Sequence, residues 1–252
     1  MMSRLPAPYG TLIDRESTIE FKFENKTISG FEGDTIASAL VANKQWLLSR
    51  SFKYHRPRGP LTMAGQDANT MVQLPSAPNA LADKEAIKEG MLVTGQNYTG
   101  SLEKDSGALL GLFSRFLPVG FYYKAFFKPR GMWEKWAALI RKKAGLGIID
   151  QQLKSPYYDK QYKFYDVVIV GGGPAGMQAA IDIAVHDCEV LIVDENPILG
   201  GSLNYARLDT EGTRAKSLRT ELVNAVEANS NITVMTNAVC NGWFADNWLP
   251  II

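Results

Sequence analysis

The sequence predicts an α/β chain in which a small α+β module precedes a parallel βαβ unit. Three observations carry this reading. A strand, a short turn, a second strand and a capped helix follow one another between Thr18 and Asn43. An apolar run at Asp166–Val170 enters a triple glycine, and a second apolar run at Glu189–Val193 follows after one helix length. The chain has 252 residues, 46% hydrophobic and 21% charged, enough for one large domain or two modest ones with real cores.

In the first module, Thr18–Phe23 (TIEFKF) alternates as a half-buried strand does, and Glu24-Asn25-Lys26 makes a short turn. Lys26–Phe31 supplies the returning strand. The following run IASALVANKQW is periodic and rich in Ala and Leu, so Asp34 or Thr35 caps a helix that reaches about Asn43. Strand, hairpin, strand and helix are the opening of a β-grasp, ferredoxin-like arrangement, assigned here to residues 1–101. Arg50–Pro60 then forms a loop with five basic side chains, Arg50, Lys53, His55, Arg56 and Arg58. Its Pro and Gly content forbids a continuous helix or a central strand. Residues 61–101 are mixed, with short apolar pieces at Thr70–Leu74 and Met91–Thr94.

Residues 102–164 read as a basic, aromatic-rich connecting segment of irregular helices, of which Trp133–Lys143 is the clearest. Within it, Leu109–Phe127 is apolar over about one membrane thickness. Arg115 and Lys124 sit inside that stretch, and Pro118 and Gly120 interrupt it, so it is expected to be buried or to face a partner, with no membrane span. The segment carries 12 Lys+Arg against 5 Asp+Glu, whereas residues 166–252 carry 4 against 11. Either the two halves face each other or are simply solvated, or the basic segment wraps an acidic partner surface.

From residue 165 to 252 the pattern is that of a dinucleotide-binding βαβ domain. The strand Asp166–Val170 runs into Gly171-Gly172-Gly173-Pro174-Ala175-Gly176, a helix follows from Met177 to about His186, and the second strand ends in Asp194-Glu195. Gly171, Gly173 and Gly176 satisfy G-x-G-x-x-G in its confirming context, with a strand before, a helix after and an acid at the next strand end. Gly171 allows the tight turn, Gly173 leaves room for a pyrophosphate against the backbone, and Gly176 lets the helix pack on the strand. The helix N-terminus offers N–H groups and a partial positive charge to the phosphates. An acid at the strand end accepts hydrogen bonds from ribose and repels a 2′-phosphate, which favours NAD or FAD over NADP. Ile232–Met235 is the expected third strand. A parallel sheet that stops there is incomplete, so either another chain finishes it or the sequence is a piece of a longer protein.

Other classes are excluded. A net charge of +1 gives no global basic field for nucleic acid. Two cysteines, Cys188 and Cys240, rule out a disulfide-stapled fold, a four-cysteine cluster or a structural zinc site; both are expected to be buried as small apolar residues. No Ser-His-Asp or metal-ligand set emerges, so neither catalytic nor metal-binding residues are assigned. His55 is expected to pack or hydrogen bond rather than face an anion or a flavin, His186 to act as a helix C-terminal cation, and Arg50, Lys53, Arg56 and Arg58 to pair with acids on the other half rather than clamp phosphates. The N-terminus lacks the apolar core of a secretory signal, which points to the cytoplasm.

Glu195, four residues, then Gly200-Gly201 resembles the two-dinucleotide-binding flavoproteins of the glutathione-reductase type, whose corresponding site usually holds FAD. More of the chain resembles the N-terminal quarter of the alpha subunits of heterotetrameric sarcosine oxidases. The residues that carry the likeness are Gly33–Leu40 (GDTIASAL), Arg50–Gly59 (RSFKYHRPRG), Pro118–Lys124, Ala144–Gly147, VVIVGGGPAG with VLIVDEN, and Gly242–Trp248 (GWFADNW). The resemblance implies oxidative demethylation of sarcosine to glycine, with hydrogen peroxide formed and a one-carbon unit passed to tetrahydrofolate. It implies NAD in this chain, FAD and FMN in the complex with the beta subunit, and gamma and delta subunits as further partners. It places the pyrophosphate on Gly171, Gly173, Pro174, Ala175 and Gly176 and the adenosine ribose on Asp194 and Glu195. Asn196, Gly201 and Ser202 lie alongside, and the backbone of Val239 meets the adenine. The ferredoxin-like module lacks the cluster cysteines of related dehydrogenases, so no iron–sulfur cluster forms. This chain alone is expected to be inactive. A non-catalytic scaffold that has lost dinucleotide affinity is the alternative. A stand-alone FAD reductase is disfavoured by the missing second nucleotide half and the absence of a redox-active cysteine pair.

Overall fold

A computed structural model describes all residues except 1–2, 7–8, 11, 117–119, 121–127, 144–147, 155–156, 210 and 212. The chain forms two compact units, residues 1–155 and 156–252.

In the first unit, β1 (Asp14–Phe23) and β2 (Lys26–Glu32) pair antiparallel in the register Phe23↔Lys26 to Thr18↔Phe31. The tight connection holds Glu24 at φ 55. α1 (Ile36–Ala42) starts at Thr35, whose side chain accepts from the Ser38 N–H while the Ser38 hydroxyl accepts from the Thr35 N–H. That reciprocal cap satisfies two donors that the first helical turn leaves open. Of the two expected caps Thr35 takes the position, and Asp34 instead lies fully buried beneath the helix start. Asp34 accepts from the Arg4 guanidinium at 2.5 and 2.9 Å, from the Ser38 hydroxyl at 2.7 Å and from the Phe31 N–H at 2.9 Å.

Two short ladders follow, β3 (Ser49–Arg50) with β4 (Pro57–Arg58) and β5 (Met71–Val72) with β6 (Ala80–Leu81). β7 (Leu92–Val93) then pairs parallel with the end of β1, giving the sheet order β2-β1-β7. Hairpin, covering helix and a parallel strand beside the first is the arrangement expected for a β-grasp module. Ile36, Ala37, Ala39 and Leu40 of α1 pack with Phe21, Phe23, Val72 and Val93 into one core.

The basic loop folds back on its own unit. Arg50 is buried and donates to the carbonyls of Leu102, His55 and Glu103, with the Asp105 carboxylate at 3.6 Å. His55 is buried at φ 54 with its Nδ1 2.6 Å from Asp105. Arg58 donates to the Asn69 side chain, and Arg56 and Lys53 lie over the Tyr54 ring. The described partners of these bases thus come from their own unit, where expectation had placed them on acids of the other half.

Farther along, α2 (Trp133–Lys143) lies where periodicity placed it. Most of Pro118–Lys124 and all of Ala144–Gly147 fall outside the described residues, as does much of Leu109–Phe127. Among the described residues no helix is long and apolar enough to cross a membrane.

In the second unit, β8 (Val167–Val170), α3 (Pro174–Ala184), β9 (Val190–Val193), α4 (Arg214–Glu227) and β10 (Ile232–Met235) form an all-parallel sheet of order β10-β9-β8. β9 is central and buried along its whole length. β8 is only half-buried, and Val170 is 60% exposed, because β9 is its single sheet neighbour among the described residues. The all-apolar sequence of β8 is the pattern of a buried parallel strand, so this exposure departs from what the residues alone suggest. α3 begins earlier than Met177: Gly173 is the N-cap and Pro174 takes the first turn, where a missing N–H costs nothing. Met177, Ala180 and Ala184 of α3 and Ala215, Leu222 and Val226 of α4 build the core with Val190 and Ile192. Cys188 and Cys240 are free and half-buried rather than fully enclosed, since both lie in connections next to strands and not within them.

Candidate functional site

The glycine loop leaves β8 and enters α3 with each glycine under a different constraint. Gly171 has φ +110, a conformation that side chains disfavour, and its N–H still donates to Val193 O at 2.8 Å. At Gly176 a Cβ would stand 2.0 Å from Gly171 O and 3.2 Å from Ile169 Cγ2, so the helix can lie this close to the strand only with glycine there. At Gly173 a Cβ would meet nothing nearer than Gly201 Cα at 4.0 Å. That side of the loop is open, and the space in front of it is lined by backbone.

A second glycine turn faces the first. Gly200 and Gly201 have φ 125 and 50, and a Cβ on Gly201 would lie 2.9 Å from Gly173 Cα. Gly200 N–H donates to Gly172 O at 2.9 Å, and Arg219 of α4 donates from Nε to Leu199 O at 2.9 Å. The two turns therefore hold each other, with the N-terminal N–H groups of α3 beside them. An extended diphosphate needs close backbone approach, unused N–H donors and the positive end of a helix dipole, and this cradle offers all three. The residues present fit the phosphates of a dinucleotide.

At the end of β9 the three expected ligands separate. Asp194 is 6% exposed and turned inward: Oδ2 accepts from the Gly172 N–H at 2.5 Å, and Oδ1 accepts from the Asn196 N–H at 2.7 Å and its Nδ2 at 3.0 Å. Both oxygens thus accept hydrogen bonds from the protein itself, whereas the sequence reading placed Asp194 beside Glu195 on the ribose. Glu195 is exposed and Asn196 half-buried. Ser202 is exposed on the short turn Gly201–Asn204, next to Gly173 through Gly201.

Val239 is corrected as well. Its N–H donates to Ile252 O at 2.7 Å, its carbonyl accepts from the Ile252 N–H at 3.0 Å, and Cys240 bridges to Ile251. A short antiparallel ladder takes both backbone groups that were expected to meet adenine. Residues 237 and 238 lie nearer the β9 end, where their N–H groups donate to Asn196 O and Asp194 O at 3.0 Å.

Sequence reasoning gave no role to Gly172 or Arg219, and it used Gly200 only as half of the Gly200-Gly201 pair. The two glycines lie beside motif positions and were readable. Arg219, by contrast, is one of several bases on an exposed helix and carries no local signal. Among the described residues no group of three or more His, Cys, Asp or Glu side chains could hold a metal ion.

Comparison with known proteins matches both units. Residues 16–98 match a family described as a 2Fe-2S iron-sulfur cluster binding domain, and residues 166–238 one described as FAD dependent oxidoreductase. Sarcosine oxidase subunit alpha of Rhizobium meliloti (strain 1021) is 37% identical over 98% of this chain and 25% of the relative. That of Corynebacterium sp. (strain P-1) is 30% identical over 81% of this chain and 17% of the relative. The chain thus spans a quarter or less of the length of these relatives. Among solved structures, L-proline dehydrogenase from P. horikoshii superposes with a TM-score of 0.55 at 20% identity, over 95% of this chain and 38% of that one, which is a likeness of fold.

Proposed function

From the premise that this chain is a homologue of the N-terminal part of sarcosine oxidase alpha subunits, we propose that it serves as that part of a sarcosine-oxidase-type oxidoreductase. In this reading residues 165–252 supply the first half of a Rossmann-like two-dinucleotide-binding domain that holds NAD. The observation that carries it is the pair of glycine turns that meet at Gly173 and Gly201 at the head of α3, with the Cβ side of Gly173 left open. Gly171, Gly173, Pro174, Ala175 and Gly176 receive the pyrophosphate, with Gly201 and Ser202 alongside. Glu195 takes the ribose hydroxyls and Asn196 borders them. When bound, the dinucleotide brings a redox-active ring to the complex; this chain contributes its anchorage and no proton transfer of its own.

The whole assembly, with FAD and FMN in the complex with the beta subunit and with gamma and delta subunits as further partners, oxidises sarcosine to glycine with dioxygen as the oxidant, which is reduced to hydrogen peroxide, and hands the one-carbon unit to tetrahydrofolate. The proposal divides the chain at 1–101, 102–164 and 165–252. It places the assembly in the cytoplasm, where free Cys188 and Cys240 stay reduced. The matched span 16–98 contains no cysteine, so the ferredoxin-like module serves assembly and not electron transfer.

A second reading, FAD in the same cradle, is favoured by the description of the family that matches residues 166–238. The deciding experiment is analysis of the denatured extract of the complete subunit, purified with its partners, for NAD, FAD and FMN. NAD in proportion to this chain supports the proposal, and FAD in that proportion replaces it with the second reading. A subunit that releases no dinucleotide refutes both and leaves a scaffold.

A further inference from the structure

We propose that Asp194 is a positioning residue that holds the glycine loop in its ligand-ready shape from beneath, leaving the ribose hydroxyls to Glu195. The inference rests on the reading of residues 165–252 as a dinucleotide site and assigns the work within it.

The geometry is specific. One carboxylate accepts from the Gly172 N–H at 2.5 Å, from the Asn196 N–H at 2.7 Å and from Asn196 Nδ2 at 3.0 Å. Through its own backbone Asp194 donates to Met235 O at 2.9 Å and accepts from the Ala238 N–H at 3.0 Å. A single residue therefore ties the loop after β8, the turn after β9 and the turn after β10. With 6% of its surface exposed, a carboxylate must be compensated by donors, and three of its lone-pair sites are already used inside the protein.

Gly172 now has a role of its own, although G-x-G-x-x-G leaves that position open. A Cβ there would meet Asp194 Oδ2 at 3.0 Å and Leu199 Cδ2 at 2.3 Å, so only glycine lets the carboxylate reach the loop's N–H. Successive residues at a strand end point to opposite sides. With Asp194 turned inward, Glu195 is left on the surface, where it is exposed.

The test uses the complete subunit in its complex, depleted of bound dinucleotide, with ADP and its 2′-deoxy and 3′-deoxy forms as probes. The wild type prefers ADP over the deoxy forms. Asp194→Asn weakens all three by about tenfold, the effect of one charged hydrogen bond, and keeps their ratios. Glu195→Gln brings the ratios toward one. Ratios that collapse in Asp194→Asn make it a ribose ligand and overturn the proposal, as does an unchanged affinity. A wild type that prefers ADP to neither analogue overturns the assignment of ribose to Glu195. A wild type that binds no ADP refutes the dinucleotide reading itself. Should the Asp194 variant fail to assemble, hydrogen exchange on the wild type decides. The Gly172 amide is protected before ADP is added, and protection that arises only with ADP refutes a preformed loop.

Discussion

Alanine at Gly176 and alanine at Gly173 perturb the same loop with opposite consequences. At Gly176 the new methyl group would lie 2.0 Å from Gly171 O, whereas real Cβ contacts stay beyond about 3.0 Å, so α3 must retreat from β8 by about 1 Å. That helix buries Met177, Ala180 and Ala184, and lifting it disturbs the whole core of the second unit. Overpacking of this kind costs about 1–3 kcal/mol, which lowers the melting temperature of a unit this size by about 4 °C at the least. At Gly173 the methyl group meets no protein atom closer than 4.0 Å and the backbone φ is −75°, which alanine accepts, so the melting temperature stays within about 1 °C. The methyl group does occupy the face assigned to the phosphates, and dinucleotide retention falls about tenfold or more. The assay is thermal unfolding and dinucleotide content of both variants of the complete subunit, measured side by side. A Gly173→Ala protein that keeps its full dinucleotide content, or a Gly176→Ala protein that melts with the wild type, refutes the reasoning.

Three further outcomes follow from the first unit. Asp34→Ala leaves the largely buried Arg4 guanidinium and the Phe31 N–H without their acceptor and is expected to cost about 3–5 kcal/mol in a urea titration; a loss below about 1 kcal/mol would show the pair to be dispensable. Burial pushes the Asp105 carboxyl up, but the Thr99 and Gly107 N–H groups and His55 outweigh it and hold it below its ordinary value. Its unfolded form therefore takes up a proton at higher pH than the folded form, and this stability is present above about pH 4 and lost as the solution is acidified. Asp105→Asn is expected to flatten that acid limb of the denaturation midpoint. Burial first, and then the hydrogen bond and charge of Glu24, push the Tyr98 phenol up to about 12. The folded state thus keeps a proton that the unfolded chain loses near pH 10, so stability falls between pH 10 and 12. Ultraviolet titration of wild type against Tyr98→Phe is expected to remove one late-ionising tyrosine.

Local chemistry made much of this protein legible in its sequence. The hairpin at Glu24-Asn25, the Thr35 cap and the strand–glycine–helix passage at residues 166–176 depend on residues adjacent in the chain, where turn, cap and backbone preferences act over a few positions. Gly171 and Gly176 could be assigned for the same reason. The first strand of the second unit was readable as a strand, but its burial depends on how many neighbours pair with it. Likewise, Arg50 and His55 were readable as bases, but their partners depend on Asp105, about fifty residues on. Which of two adjacent acids turns inward, which base braces Gly200 and what Val239 pairs with were decided only by the tertiary structure. Each of these is a contact over roughly ten to fifty residues, set by packing and hydrogen-bond competition that no local pattern encodes.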